Sequence, residues 1–182
     1  HTRLQGDWSS DVCSSDLALT EAAMAGSDSF VHLHAHTEYS MLDGAARVRA
    51  LVARAAELGM PAVAMTDHGN VFGAYEFYKA AKAVGIKPII GMEGYYAPQG
   101  RRVRAPIEFG SGTFADTDNA SEDGSLGASR GRFNYTHMTV LAQSTEGMHN
   151  LFRLSSLASI EGLYYHPRFD EELLEQIGRA HV

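Results

Sequence analysis

Residues 62–96 read AVAMTDHGNVFGAYEFYKAAKAVGIKPIIGMEGYY, and the punctuation of this stretch decides the fold class. Ala62–Thr66 is short and almost continuously apolar, the pattern of a strand buried on both faces of a parallel sheet. Asp67-His68-Gly69-Asn70 breaks the run, and Asn70 is placed to cap a helix reaching Val84. Phe72, Tyr75, Phe77 or Tyr78, and Ala81 are expected on its apolar face, with Gly85 as its stop. Ile86–Tyr96 then reads as a second strand. Strand, helix, strand at this spacing predicts parallel strands with a crossover helix. In such α/β folds the chemistry sits at the carboxyl ends of strands. Asp67 and His68 follow one strand, and Glu93 lies late in the next.

Upstream, residues 30–44 read FVHLHAHTEYSMLDG. A strand over Phe30–His34 is expected there. Continued extended chain would set His32, His34 and His36 on one face. Asp43 follows in the loop. For one lone histidine a solvated strand face is the simpler reading, but three at period two favour a metal. Imidazoles with a nearby carboxylate suit zinc, manganese or iron. Arg47–Leu58 reads as a helix, with Val48, Leu51, Val52, Ala55 and Leu58 at helical spacing and Gly59 and Pro61 ending it.

Downstream, residues 98–134 are rich in Gly, Ser, Asp and Arg without periodicity and are expected to be an insertion loop. Its Arg101, Arg102 and Arg104 read as a solvated basic cluster. Tyr135–Ala142 is another expected strand. A helix beginning at Ser144 or Thr145 runs through Leu157 to Glu161-Gly162, and Asp170 with Leu173 and Leu174 suggests a last short helix. His137 opens its strand, the wrong end for a strictly parallel barrel. An antiparallel hairpin with the Ile86–Tyr96 strand would return it to Glu93, and that arrangement is preferred. His149 and His166 fall outside the pattern and read as surface residues. Tyr75, Phe77, Tyr78, Tyr95 and Tyr96 read as packing.

The 182 residues are 45% hydrophobic and 20% charged, as in an ordinary soluble domain. A net charge of −7 argues against a general electrostatic nucleic-acid binder, so DNA would be met locally, through metals, or with help from other domains. Cys13 is the single cysteine, which excludes a disulfide framework and fits a reducing compartment. No apolar run suggests a membrane span or signal peptide, and a cytoplasmic location is expected. Residues 1–27 read as a disordered or non-native leader, 28–177 as the structured portion, and 178–182 as a non-native tail.

The candidate site is thus His34, His36, Asp43, His68, Glu93 and His137, with Asp67 as an alternative or supporting residue. One ion seldom takes more than four protein ligands, so this set implies at least two, with Glu93 able to bridge. Clustered divalent ions point to phosphoester hydrolysis. No nucleophile elbow or Gly-rich phosphate loop competes.

The His-x-His segment, Thr66-Asp67-His68-Gly69-Asn70 and the later glutamate resemble the PHP (polymerase and histidinol phosphatase) superfamily. HLHAHTEYSMLDGA, MTDHGNVFGAYEFYKAAKAVGIKPIIGMEGYYAP, HMTVLAQSTEGMHNLFRLSS and EGLYYHPRFDEELL resemble its branch at the N-terminus of bacterial DNA polymerase III alpha subunits, with an actinobacterial flavour. The likeness runs from about residue 28 to 177, outside the loop interior. It implies the first part of a distorted (β/α)7 TIM-like barrel with a trinuclear zinc or manganese centre, holding a 3′→5′ proofreading exonuclease. On this resemblance His34 and His36 are the first ligand pair, Asp43, His68, Glu93 and His137 the next four, and His32 a backing residue. The family's remaining ligands, a cysteine and an Asp-x-His pair, have no match in these residues. The implied partners are a DNA primer 3′ end, met through the full-length polymerase, and other replisome subunits. Two alternatives are an inactive structural module and a stand-alone small-molecule phosphatase such as histidinol phosphatase.

Overall fold

The computed structural model describes residues 30–41, 43–104 and 134–177. The expected leader 1–27, residues 105–133 of the expected insertion, and the tail 178–182 lie outside the described residues. Helix α1 is Val48–Glu57, strand β1 Ala62–Met65, helix α2 Ala74–Val84 and strand β2 Lys87–Tyr96. Strand β3 is Thr136–Leu141, helix α3 Thr145–Glu161, β4 Leu163–Tyr164, β5 His166–Phe169 and helix α4 Glu171–Gln176. The helix stops follow the sequence. Gly85 takes φ +76° and returns its N–H to the last turn of α2, a conformation that costs other residues. Ser144 and Asp170 cap α3 and α4 by accepting from Gly147 and Leu173 N–H groups.

The long strand β2 is the spine of a mixed α/β sheet. Strand β1 pairs with it in parallel from Ala62↔Lys87 to Met65↔Ile90. Farther along, the Glu93 N–H donates to Asp67 O at 3.1 Å and Gly69 N–H to Glu93 O at 2.8 Å. Strand β5 then pairs in parallel at Tyr95↔Arg168 and Tyr96↔Phe169. Strand β3 pairs antiparallel from Gly91↔Leu141 to Tyr96↔Thr136, so the preferred hairpin is present. Alternation divides β2 by face. Ile90 and Met92 face the helices, whereas Glu93 and Tyr95 face the opposite side.

The helical side carries the apolar core. Val48, Val52 and Ala55 of α1 and Phe77 and Ala81 of α2 bury against Val63, Met65 and Ile90. Leu154 and Ala158 of α3 and Leu173 of α4 bury against Met92 and Phe169. Removing this apolar surface from water is the main drive holding helices to sheet.

Three expectations are corrected. Phe30–His34 is not a regular strand. Ala64 N–H donates to His32 O at 2.8 Å and Thr66 N–H to Ala35 O at 2.9 Å, so the acceptor advances three residues while the donor advances two. Ala35 N–H goes instead to Thr66 Oγ1 at 2.9 Å, and this slip breaks the ladder and the alternation of the histidines. Helix α2 begins at Ala74, not beside Asn70. Asn70 holds a turn, accepting from Phe72 N–H at 3.1 Å and donating to His68 O at 2.9 Å, and Phe72 and Tyr75 are left exposed.

The third correction concerns the arginines. Arg101 is only 3% exposed. Its guanidinium donates to Asp170 at 2.8 Å, Glu161 at 2.7 Å and Glu172 at 2.9 Å, while Arg102 stays exposed on Glu161. Buried Arg168 donates to the carbonyls of Arg101, Gly162 and Val103. These bonds fasten residues 101–103 to β5 and α4.

Burial opposes charge on Asp170, but hydrogen bonds from Arg101 and Leu173 outweigh it and hold its carboxyl below the ordinary value. Such a group contributes stability above its unfolded pKa, about 3.9, and loses it as pH falls through the lower folded value. Asp170→Asn is therefore expected to lower the melting temperature at neutral pH and to flatten its acid decline below about pH 4. Thermal melts across that range check this; parallel declines in the two proteins would contradict it.

Candidate metal centre

The site is assembled by a buried aspartate that is not itself among the converging ligands. Asp67 is fully buried and accepts from Thr37 N–H at 2.6 Å, Thr37 Oγ1 at 2.7 Å and Ser40 Oγ at 2.5 Å. Ser40 Oγ in turn accepts from His68 N–H at 3.1 Å. The short 3-10 turn Glu38–Ser40, capped by Thr37, is thereby pinned to the loop after β1. This brings the His36 and His68 rings to 4.1 Å between centroids. Asp67 is thus the supporting residue, its oxygens committed to Thr37 and Ser40.

Glu93, 6% exposed, is the hub. Its Oε2 accepts from His36 Nε2 at 2.7 Å and from His34 Nε2. Its Oε1 accepts from His137 Nδ1 at 2.5 Å. His137 reaches it because β3 runs antiparallel: Thr139 lies opposite Glu93 and His137 one diagonal step away. Asp43 Oδ2 completes the rim, accepting from His36 Nδ1 at 2.9 Å and His68 Nε2 at 2.5 Å.

Three groups result, each with donor atoms within 4.8 Å of one another: His34, His36 and Glu93; His36, Asp43 and His68; His68, Glu93 and His137. All six expected ligands converge. His36, His68 and Glu93 each belong to two groups, the arrangement that adjacent ions sharing ligands require. His36 meets a carboxylate at each ring nitrogen, so a proton or a cation must sit at both contacts. Buried His68 Nδ1 has no hydrogen-bond partner, leaving a polar atom that a bound group would satisfy. Four imidazoles and two carboxylates form a donor set suited to zinc, manganese or iron. The residues fit divalent cations.

The charges agree. Hydrogen bonds from His68 and His36 lower the Asp43 pKa. At Glu93 burial opposes ionisation, yet the bonds from His137, His34 and His36 outweigh it and hold the carboxyl far below its ordinary value. Both acids are anionic at neutral pH, as ligands must be.

His32 does not join the cluster; it is exposed and packs its ring on Phe30 at 4.7 Å, so its expected backing role is not borne out. His166 was expected at the surface and instead lies beside the site. Its half-buried ring stacks on Tyr95 at 4.4 Å, and burial, then His137 and His68, lower its pKa. Spacing alone gave no signal for it. His149 sits near Phe152, away from the cluster.

The PHP domain family profile matches residues 32–181. DNA polymerase III subunit alpha of Saccharopolyspora erythraea is 56% identical over 149 residues, covering 82% of this chain and 12% of the relative. The subunit of Mycobacterium tuberculosis is 52% identical over 84% of this chain, and that of Aquifex aeolicus 47% identical over 85%. The chain spans about 12% of the length of these relatives. A solved candidate metal-dependent phosphoesterase from Bifidobacterium adolescentis aligns with 73% of this chain and 34% of its own at 19% identity and a TM-score of 0.43, a likeness that carries no argument about the site.

Asp67→Ala would leave the Thr37 amide and the two hydroxyls without their buried acceptor. At about 1–3 kcal/mol for a buried unsatisfied group, a total loss of about 3 kcal/mol or more is expected. Urea unfolding checks this. A loss under about 1 kcal/mol would contradict Asp67 as the pin.

Proposed function

The chain belongs to the PHP domain family, and from that we propose that it is the front portion of a PHP domain in a DNA polymerase III alpha subunit, where it serves as a metal-dependent 3′→5′ proofreading exonuclease. The observation that carries this reading is the convergence of six ligand-type side chains, Glu93 among them, in three ligand-sharing groups. Helices on one face of the sheet and the ligands on the other support a distorted (β/α)7 barrel with its mouth at this cluster. Three groups support three ions; the donor set suits zinc, manganese or iron, and the family resemblance favours zinc or manganese.

Divalent cations bound here would polarise phosphate oxygens, acidify a water and stabilise the leaving 3′ oxygen. The chain's residues supply the rest. His34, His36 and Glu93 would hold one position, His36, Asp43 and His68 a second, and His68, Glu93 and His137 a third. Glu93, anchored on the spine of the sheet, fixes the spacing between positions. Asp67 keeps the His36 and His68 loops in register without touching substrate. Hydrolysis would break the bond between phosphorus and the 3′ oxygen, adding water's hydroxyl to phosphorus and its proton to the leaving oxygen.

The primer 3′ end would reach this acidic chain through the full-length polymerase and its replisome partners. No helix among the described residues is long and apolar enough to cross a membrane, and the cytoplasm is the proposed location. A complete ligand set to this point in the chain favours a working site over a purely structural module. The identity to polymerase subunits favours DNA over a small phosphate ester such as histidinol phosphate.

In the full-length subunit, manganese or zinc is expected to support release of nucleotides from a mismatched primer end. His34→Ala and Glu93→Ala should each slow that release by about a hundredfold or more while sparing polymerisation. Quenched-flow assays on labelled primer check this. Undiminished release by both variants would overturn the site.

A further inference from the structure

His166 is a chemically capable side chain that the six-ligand cluster does not use. It belongs to none of the three ligand groups. Yet its ring is fixed beside them: stacked on Tyr95 at 4.4 Å and 27°, with the Tyr135 ring edge-on at 5.2 Å. Tyr95 itself lies 5.0 Å from the His137 ring and 5.9 Å from that of His68. Among the described residues neither ring nitrogen of His166 has a hydrogen-bond partner, although the residue is half-buried. A buried aromatic wall thus orients an imidazole and leaves its polar atoms uncommitted.

The backbone is shaped to put it there. Tyr165, 86% exposed, takes φ +60°, a left-handed conformation that a bulky residue adopts at a cost. That turn lets Tyr164 pair with His166 and reverses the chain just before β5. On the next residue, Pro167 packs so closely on Gly69 that a Cβ there would lie 2.6 Å from Pro167 Cγ. Gly69 also takes φ +64°, so only glycine meets both demands. The β4–β5 turn is therefore seated against the loop that carries His68.

We propose that His166 is a substrate-contacting residue, binding through a ring nitrogen the phosphate group that the ligand cluster engages. The inference rests on the function proposed above and extends it to a residue outside the ligand set. Stacking on Tyr95 sets the ring plane, and the free nitrogens give it a donor for a phosphate oxygen.

The test is calorimetric titration of the full-length, manganese-loaded protein with thymidine 5′-monophosphate, alongside metal stoichiometry and a melting curve. His166→Phe keeps the stack and removes the nitrogens; His166→Gln keeps a donor. His166→Phe is expected to weaken binding by about tenfold with manganese uptake unchanged, and His166→Gln to recover part of the loss. In nucleotide release, KM should rise more than kcat falls. Wild-type affinity in His166→Phe, or loss of manganese from it, overturns the contact while leaving the cluster's function standing. A wild-type protein that takes up neither manganese nor zinc overturns that function, and this inference with it.

Discussion

A carboxylate buried among apolar strand neighbours must be compensated, and Glu93 meets that constraint with three imidazoles. Much of the surrounding architecture serves it. Strand β2 is long enough to accept β1 along its first half and still extend Glu93 past the end of β1. The antiparallel return of β3 delivers His137, which a parallel crossover would have placed at the far end. The pin at Asp67 delivers His36 and His68 together. Remove the charge at Glu93, and three histidines from two parts of the chain lose the group they share.

The molecule holds a second buried ionic cluster, and the contrast clarifies both. Around Arg101 the charges close on one another: the carboxylates of Asp170, Glu161 and Glu172 surround one guanidinium, and Arg168 closes the backbone carbonyls behind it. That network fastens loop to helix and leaves little donor capacity for a ligand. Around Glu93 the balance is open. His68 keeps an unpartnered buried nitrogen, and Asp43 stands at an exposed rim. Like chemistry gives a clamp in one place and a receptive site in the other, because only the second leaves lone pairs to be shared.

The sequence disclosed what local physics controls. Helix ends at Gly85, Ser144 and Asp170 were legible because backbone conformation and capping are properties of single residues. That the six candidate side chains gather at one rim was legible because strand ends converge in a β-α-β fold. Long-range geometry was harder to read. The one-residue slip at Ala35 depends on a threonine hydroxyl thirty-one positions away and removes His32 from the face it was expected to share. Asn70 forms a turn with His68 and Phe72 in place of a cap. Arg101 looked solvated because its acids lie sixty or more residues downstream. His166 looked peripheral because only the pairing of β5 with β2 brings it to Tyr95.

The most direct test of Glu93 as the shared ligand is crystallography with anomalous scattering at the manganese or zinc edge on metal-soaked crystals. Adjacent peaks within coordination distance of Glu93, with its two oxygens divided between ions, are the expected result. A well-ordered cluster without anomalous signal, or ions bound only elsewhere, would contradict it.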